Sequence, residues 1–210
     1  MNDVVKMARL DLRVILPYRR QALILLAIAP VLALQTHDPR SVLPASVVYG
    51  SMLVSSPFAA ADKYDLATLY GALPVARSRV VAGRYAFAFV YFLAAAAVGL
   101  VLTLAVGAVL GVTVTVPELG LLVAVSLALF ALVVALQFPL YFWLGYNKAR
   151  LLAMLPFVVL FVVVAALLPS LKTATVPPAG SAATACVVVA AALAAASFAI
   201  SRRLHARRVE

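Results

Sequence analysis

The chain has 210 residues, 66% of them hydrophobic and 11% charged, and its mean hydropathy is +1.12. A soluble domain is about 45–50% apolar and about 25% charged, so a water-soluble globular protein is excluded and one all-α integral membrane domain is expected. The net charge of +10 lies beside the ends of apolar runs, a pattern that orients membrane helices rather than one that grips nucleic acid, and the single cysteine, Cys186, excludes an internal disulfide or a cysteine-based metal site.

Residues 1–20 read as an interfacial amphipathic helix. Lys6, Arg9 and Arg13 share one face, and Val4, Met7, Ala8 and Ile15 lie on roughly the opposite side. Such a helix rests on anionic membrane lipids; a solvated tail is the other reading of the same residues. Residues 21–210 form the membrane domain. A helix needs about 20 apolar residues to cross the hydrocarbon core, and six runs qualify, at about 21–36, 42–61, 84–111, 120–144, 151–168 and 181–200. The first is short and is expected to begin earlier or to tilt. Its basic flank and apolar core are also compatible with a signal peptide.

Fifteen of the seventeen bases fall on one side of this six-span arrangement. They precede span one, lie between spans two and three and between spans four and five, or follow span six; only Arg40 and Lys172 fall opposite. The positive-inside rule then predicts six transmembrane helices with both termini cytoplasmic. Tyr85, Tyr91 and Phe92 gather at the inner end of span three, and Tyr141, Phe142, Trp143 and Tyr146 at that of span four, where aromatic belts meet headgroups.

Ala95, Gly99, Thr103, Gly107 and Gly111 recur every fourth residue along span three. Small residues at that spacing let helix backbones approach closely, within one chain or between two copies. Pro30, Pro44, Pro57, Pro139 and Pro156 lie within spans, where each removes a backbone hydrogen bond.

No charged residue lies near the middle of any span, which argues against an ion-coupled transporter or pump. The intramembrane polar groups are mild, and Ser51, Ser55, Ser126 and Gln137 are the candidates for lining a substrate path. For Gln137, a hydrogen bond to a neighbouring helix is the favoured reading over contact with a substrate. His37 and His205 fall on opposite sides of the membrane, so metalloprotease spacing is missing. There is no G-x-x-x-x-G-K-[ST] phosphate loop, so the chain has no such means of hydrolysing ATP. Cofactors bound by the chain itself are expected to be none.

The richest charged stretch, "FAAADKYDLATLYGALPVARSRVVAGRY" at residues 58–85, joins spans two and three. Gly71 and Pro74 interrupt it, since the residue before Pro is biased away from helix. The loop 62–83 therefore reads as helix, sharp turn, helix. Its apolar tip, Leu73, Pro74 and Val75, is ringed by Asp62, Lys63, Asp65, Arg77 and Arg79. Apolar anchors with charges for register suit protein docking; a plain connector whose bases only set topology is the alternative.

Asp62-Lys63, Leu73-Pro74-Val75, Arg77, Val80-Val81 and Arg84-Tyr85 together resemble the signature of ABC-2 type transporter permeases, and the tail "AISRRLHARRVE" is similar to the basic tail of that family. Ala61 and Ala72 depart from residues common there. The resemblance implies a permease subunit of an ATP-driven exporter in a plasma membrane, and the Ala-, Val- and Arg-rich composition suggests a bacterial one. It implies a pair of such subunits, homo- or heterodimeric, among membrane lipids. Each would dock a separate ATP-binding-cassette ATPase, which would bring ATP and Mg, and Asp62, Lys63, Asp65, Leu73, Pro74, Val75, Arg77 and Arg79 would transmit its motion. Arg84 would anchor its helix at the headgroups. The uncharged path favours an amphipathic or hydrophobic cargo. A non-transporting membrane scaffold or anchor for a cytoplasmic partner is the alternative.

Overall fold

The computed structural model describes residues 7, 9–13, 19–64, 77–155, 157–158 and 179–207. Among them every regular element is helical. Residues 9–13 form a helical segment, and the longer elements follow as α1 (Arg19–Thr36), α2 (Val42–Ser51), a 3-10 stretch (Met52–Ser55), α3 (Ser56–Lys63), α4 (Arg77–Leu110), α5 (Val116–Leu144), α6 (Tyr146–Ala149) and α7 (Ala179–Arg207).

Four helical runs are long and apolar enough to cross a membrane: Pro39–Lys63, Ser78–Leu110, Val116–Leu144 and Gly180–Leu204. They correspond to expected spans two, three, four and six. Expected span one is the shorter apolar helix α1, which does begin before residue 21. Most of span five and the greater part of residues 1–20 lie outside the described residues.

Span two is the centre of the bundle. Two-thirds of its apolar window is buried (67%), against 33% for each of spans three and four and 11% for span six. It packs against α1, α4 and α5, while α7 lies along α5 and touches α4. Outward residues such as Phe89, Val101, Val109 and Val188 are exposed and apolar, as hydrocarbon requires of a membrane helix whose backbone is satisfied internally.

At Gly99 and Gly107 the small-residue stripe of span three is filled from within the chain. A Cβ added at Gly99 would stand 3.4 Å from the Leu43 backbone and 3.5 Å from Ser46, and one at Gly50 would stand 3.3 Å from the Tyr91 hydroxyl. Spans two and three thus cross backbone to backbone, and the Tyr91 hydroxyl donates to the Gly50 carbonyl at 2.9 Å across the contact.

Span two is not one continuous α-helix. Serines beside and within its 3-10 stretch bond back to carbonyls three residues earlier: Ser51 to Val48 at 2.6 Å, Ser55 to Met52 at 2.9 Å and Ser56 to Leu53 at 2.7 Å. Hydroxyls competing for backbone carbonyls bend helices, and Pro57 in the first turn of α3 withholds a donor from the preceding turn.

At the end opposite the bases, α5 starts with a capping box between Thr115 and Glu118. Glu118 Oε2 accepts from the Thr115 N–H at 2.8 Å, and its Oε1 accepts from Arg40 Nη2 at 2.9 Å. That exposed pair ties the corner between spans one and two to the start of span four.

Candidate functional site

The expected docking loop begins where α3 ends. Asp62 is half-buried there, and its Oδ2 accepts the Asn147 N–H at 3.0 Å. Asn147 lies in the first turn of α6, which follows Gly145 with φ +78°, a conformation that costs little only without a Cβ. Free N–H groups at a helix start are natural partners for a carboxylate. Asp62 thereby caps α6 from a different span and joins the corner after span four to the start of the expected docking loop.

Lys63 and Tyr64 are exposed beside this junction, with the ammonium 5.3 Å from the ring centroid. Arg77 is the first residue of α4 and Arg79 is exposed in its first turn. Asp65, Leu73, Pro74 and Val75 lie outside the described residues. The structure therefore brings both ends of the loop to the basic end of the bundle and places Asp62 against the corner after span four.

Above the junction sits an aromatic cluster. The Phe58 ring lies 5.0, 5.0 and 5.1 Å from the rings of Phe138, Tyr141 and Phe142. Edge-to-face and tilted pairs at such distances add about 0.5–1.5 kcal/mol each beyond burial. Phe92, Tyr141 and Phe142 are at most 5% exposed, whereas Trp143 is 56% exposed. The aromatics at the ends of spans three and four are thus mainly core, and Trp143 is the one turned outward among these four. Amphipathic rings near a helix end serve either purpose, and their spacing does not distinguish belt from core.

Arg84 is a correction to the sequence reading. It is 5% exposed, not a headgroup anchor. Its guanidinium stacks 4.4 Å from the Phe58 ring centroid, and its Nε is 3.4 Å from Asp11 Oδ2. Asp11 is 4% exposed, and burial pushes its carboxyl up from the ordinary 3.8 to about 6, with the Arg84 charge pulling the other way. The pair links the N-terminal segment, span two and span three. Asp11 is the one acid among five bases between positions 6 and 20, which is the signal in that stretch for a partner to a buried base.

Next to Arg84, the Tyr85 hydroxyl is 2.6 Å from Ser197 Oγ and 3.0 Å from Ser201 Oγ. Ser197 in turn donates to the Ala135 carbonyl at 3.2 Å. A single hydroxyl chain therefore joins spans three, six and four.

The candidate path residues are turned inward. Ser51 and Ser126 are fully buried, and Ser126 donates to the Leu122 carbonyl at 2.7 Å. Ser55 is half-buried and bonded within its own helical run. Gln137 Nε2 donates to the Ala153 carbonyl at 2.9 Å, linking span four to the 3-10 turn Leu152–Met154; its Oε1 has no hydrogen-bond partner among the described residues. Among the described residues, no group of three or more His, Cys, Asp or Glu converges.

Long apolar helices packed around a central, broken span, with the two ends of a charged loop at one end, define a multi-pass helical membrane protein. The model of the ABC-2 family transporter proteins matches residues 7–205, almost the whole chain. The chain belongs to that family, whose members are the membrane permease subunits of ABC transporters, associate with an ABC ATPase subunit and are not themselves ATPases. Neither the curated proteins nor the solved structures contain a match to it.

Proposed function

We propose that this chain is the permease subunit of an ATP-driven exporter, with six spans, both termini cytoplasmic and the loop 62–83 receiving a separate ATP-binding-cassette ATPase. The supporting observation is the Asp62–Asn147 hydrogen bond. Through it, a push on the loop reaches span two and the corner after span four together, instead of one helix end. Two permease subunits, identical or not, flank the path in a bacterial plasma membrane. ATP and Mg enter with the ATPase, and this chain contributes no cofactor ligand. Ser51, Ser55, Ser126 and Gln137 mark the interior through which an amphipathic or hydrophobic cargo moves. Their hydroxyl and amide groups exchange internal partners for cargo as the spans shift.

The test is reconstitution of the chain with its ATPase in lipid nanodiscs. The ATPase rate is expected to rise with amphipathic candidate cargoes. In Asp62→Ala that response should fall about fivefold with the ATPase still bound, since an N-cap contributes about 1 kcal/mol. A rate indifferent to every amphipath would favour the scaffold reading.

A further inference from the structure

The buried charge pair at the base of span three has no part in the docking loop. It holds together three pieces of chain that are far apart in sequence: the helical segment 9–13, α3 and α4. Asp11 and Arg84 are each about 95% buried. The Arg84 guanidinium meets both the Asp11 carboxylate and the Phe58 ring, and its Nη1 has no hydrogen-bond partner among the described residues. Leu12 packs against the main apolar cluster, while Leu10 and the neighbouring Arg9 and Arg13 are exposed. The segment therefore presents a narrow inward edge, and the only charge on that edge meets Arg84.

We propose that Arg84 is a positioning residue that latches the N-terminal helical segment, through Asp11, onto the bases of spans two and three, so that the three move as one body. The latch is a property of this chain alone; its consequence for coupling rests on the proposed function.

The physics gives the latch a distinctive signature. A buried ion pair adds little over an apolar replacement, but removing one member leaves the other charge buried and unpaired, at large cost. A carboxyl whose value is raised on docking favours the docked state fully below its ordinary range. That contribution is lost as pH rises through about 6. Above that, the Arg84 charge is what keeps the ionised carboxylate in place. Other charged groups nearby are engaged or turned outward: Asp62 accepts from Asn147, Lys63 lies over Tyr64, and Arg9 and Arg13 are exposed. Tyr85 is held by Ser197 and Ser201.

The experiment uses the full chain in nanodiscs without any ATPase, in a Cys186→Ala background. Maleimide labelling of Leu12→Cys is measured relative to the exposed control Leu10→Cys, which cancels the pH dependence of the reagent. In Arg84→Gln the ratio should rise about tenfold at pH 8 and return to within about twofold of the parent at pH 5, as Asp11 takes up a proton. Asp11→Asn combined with Arg84→Gln should restore a low ratio at both pH values. A ratio unchanged by Arg84→Gln at pH 8, or one that stays high in the double variant, overturns the latch. If Arg84→Gln does not insert, Asp11→Asn alone decides. Its ratio should be flat between pH 5 and 8 while that of the parent rises, and a ratio that tracks the parent overturns the proposal. Because no ATPase is present, failure of the coupling role leaves this result readable.

Discussion

Replacing both Arg77 and Arg79 by Glu is expected to reduce cargo transport roughly tenfold or more, while the chain still inserts and the bound ATPase still turns over. The two bases stand in the first turn of α4, a helix of 34 residues with no acid in that turn. At 1.5 Å per residue such a helix is about 50 Å long, so a displacement at Arg77 is carried as a rigid lever toward Leu110. Positive charge at a helix N-terminus opposes the macrodipole, by about 0.3–1 kcal/mol per residue. The substitutions therefore favour the helix itself, and lost transport cannot be assigned to its unfolding. Under the proposed docking, they reverse the charge that the loop offers to the ATPase, where like charges brought together cost several kcal/mol. ATPase turnover and vesicle transport measured on the same reconstituted complex separate the two effects. Transport equal to the parent would remove Arg77 and Arg79 from the coupling role.

Gly107→Val is expected to be the most damaging single substitution in the described bundle. Span three ends in a Schellman turn. Gly111 takes φ +69°, its N–H donates to Ala108 O at 3.4 Å, and the Val112 N–H donates to Gly107 O at 2.9 Å. The returning chain passes so close that a Cβ on Gly107 would stand 2.8 Å from the Val112 carbonyl oxygen. The obstacle is backbone, which cannot rotate away, and the turn leads directly into Thr115 and the capping box of α5. A cost of about 3 kcal/mol, the upper end for overpacking, should appear as a large drop in the thermal midpoint of the detergent-solubilised chain. Gly120→Val, with nothing within 4 Å of its added Cβ, is the control. Equal midpoints for the two variants would contradict the turn as described.

Helices were legible wherever apolar runs were long. Span three was expected from residue 84 with a helix leading into it from "ARSRVVAGRY", and the observed helix opens at Arg77. The first span was expected to start early, and it does so at Arg19. The stripe at Gly99 and Gly107 announced close approach but not the partner, because the same spacing serves contacts within a chain and between copies. Here Leu43, Ser46 and the returning turn fill it. The 3-10 break in span two depends on how three serine hydroxyls are shared with backbone carbonyls, which composition does not reveal.

At the candidate site the limits were those of distance along the chain. Asp62 was singled out for its place in the loop, but its partner Asn147 is 85 residues away and no local pattern joins them. From the sequence, Arg84 belongs at the headgroups, because a base at a span end ordinarily goes there. Its burial needs an acid brought from position 11 and a ring from position 58, and only the tertiary fold supplies both. Gln137 has two readings, cargo and neighbouring helix; in the structure its amide nitrogen bonds the Ala153 carbonyl while its oxygen has no partner among the described residues.

The most direct test of the account is co-purification of the ATP-binding-cassette ATPase encoded nearest to this chain, from detergent-solubilised membranes, with the tagged chain and with its Leu73→Asp variant. The account predicts that the ATPase is retained by the parent and lost from the variant, because an apolar anchor at the loop tip carries the docking energy. Retention by both would place the interface elsewhere, and retention by neither would contradict the assignment of this chain to an ATPase-coupled permease.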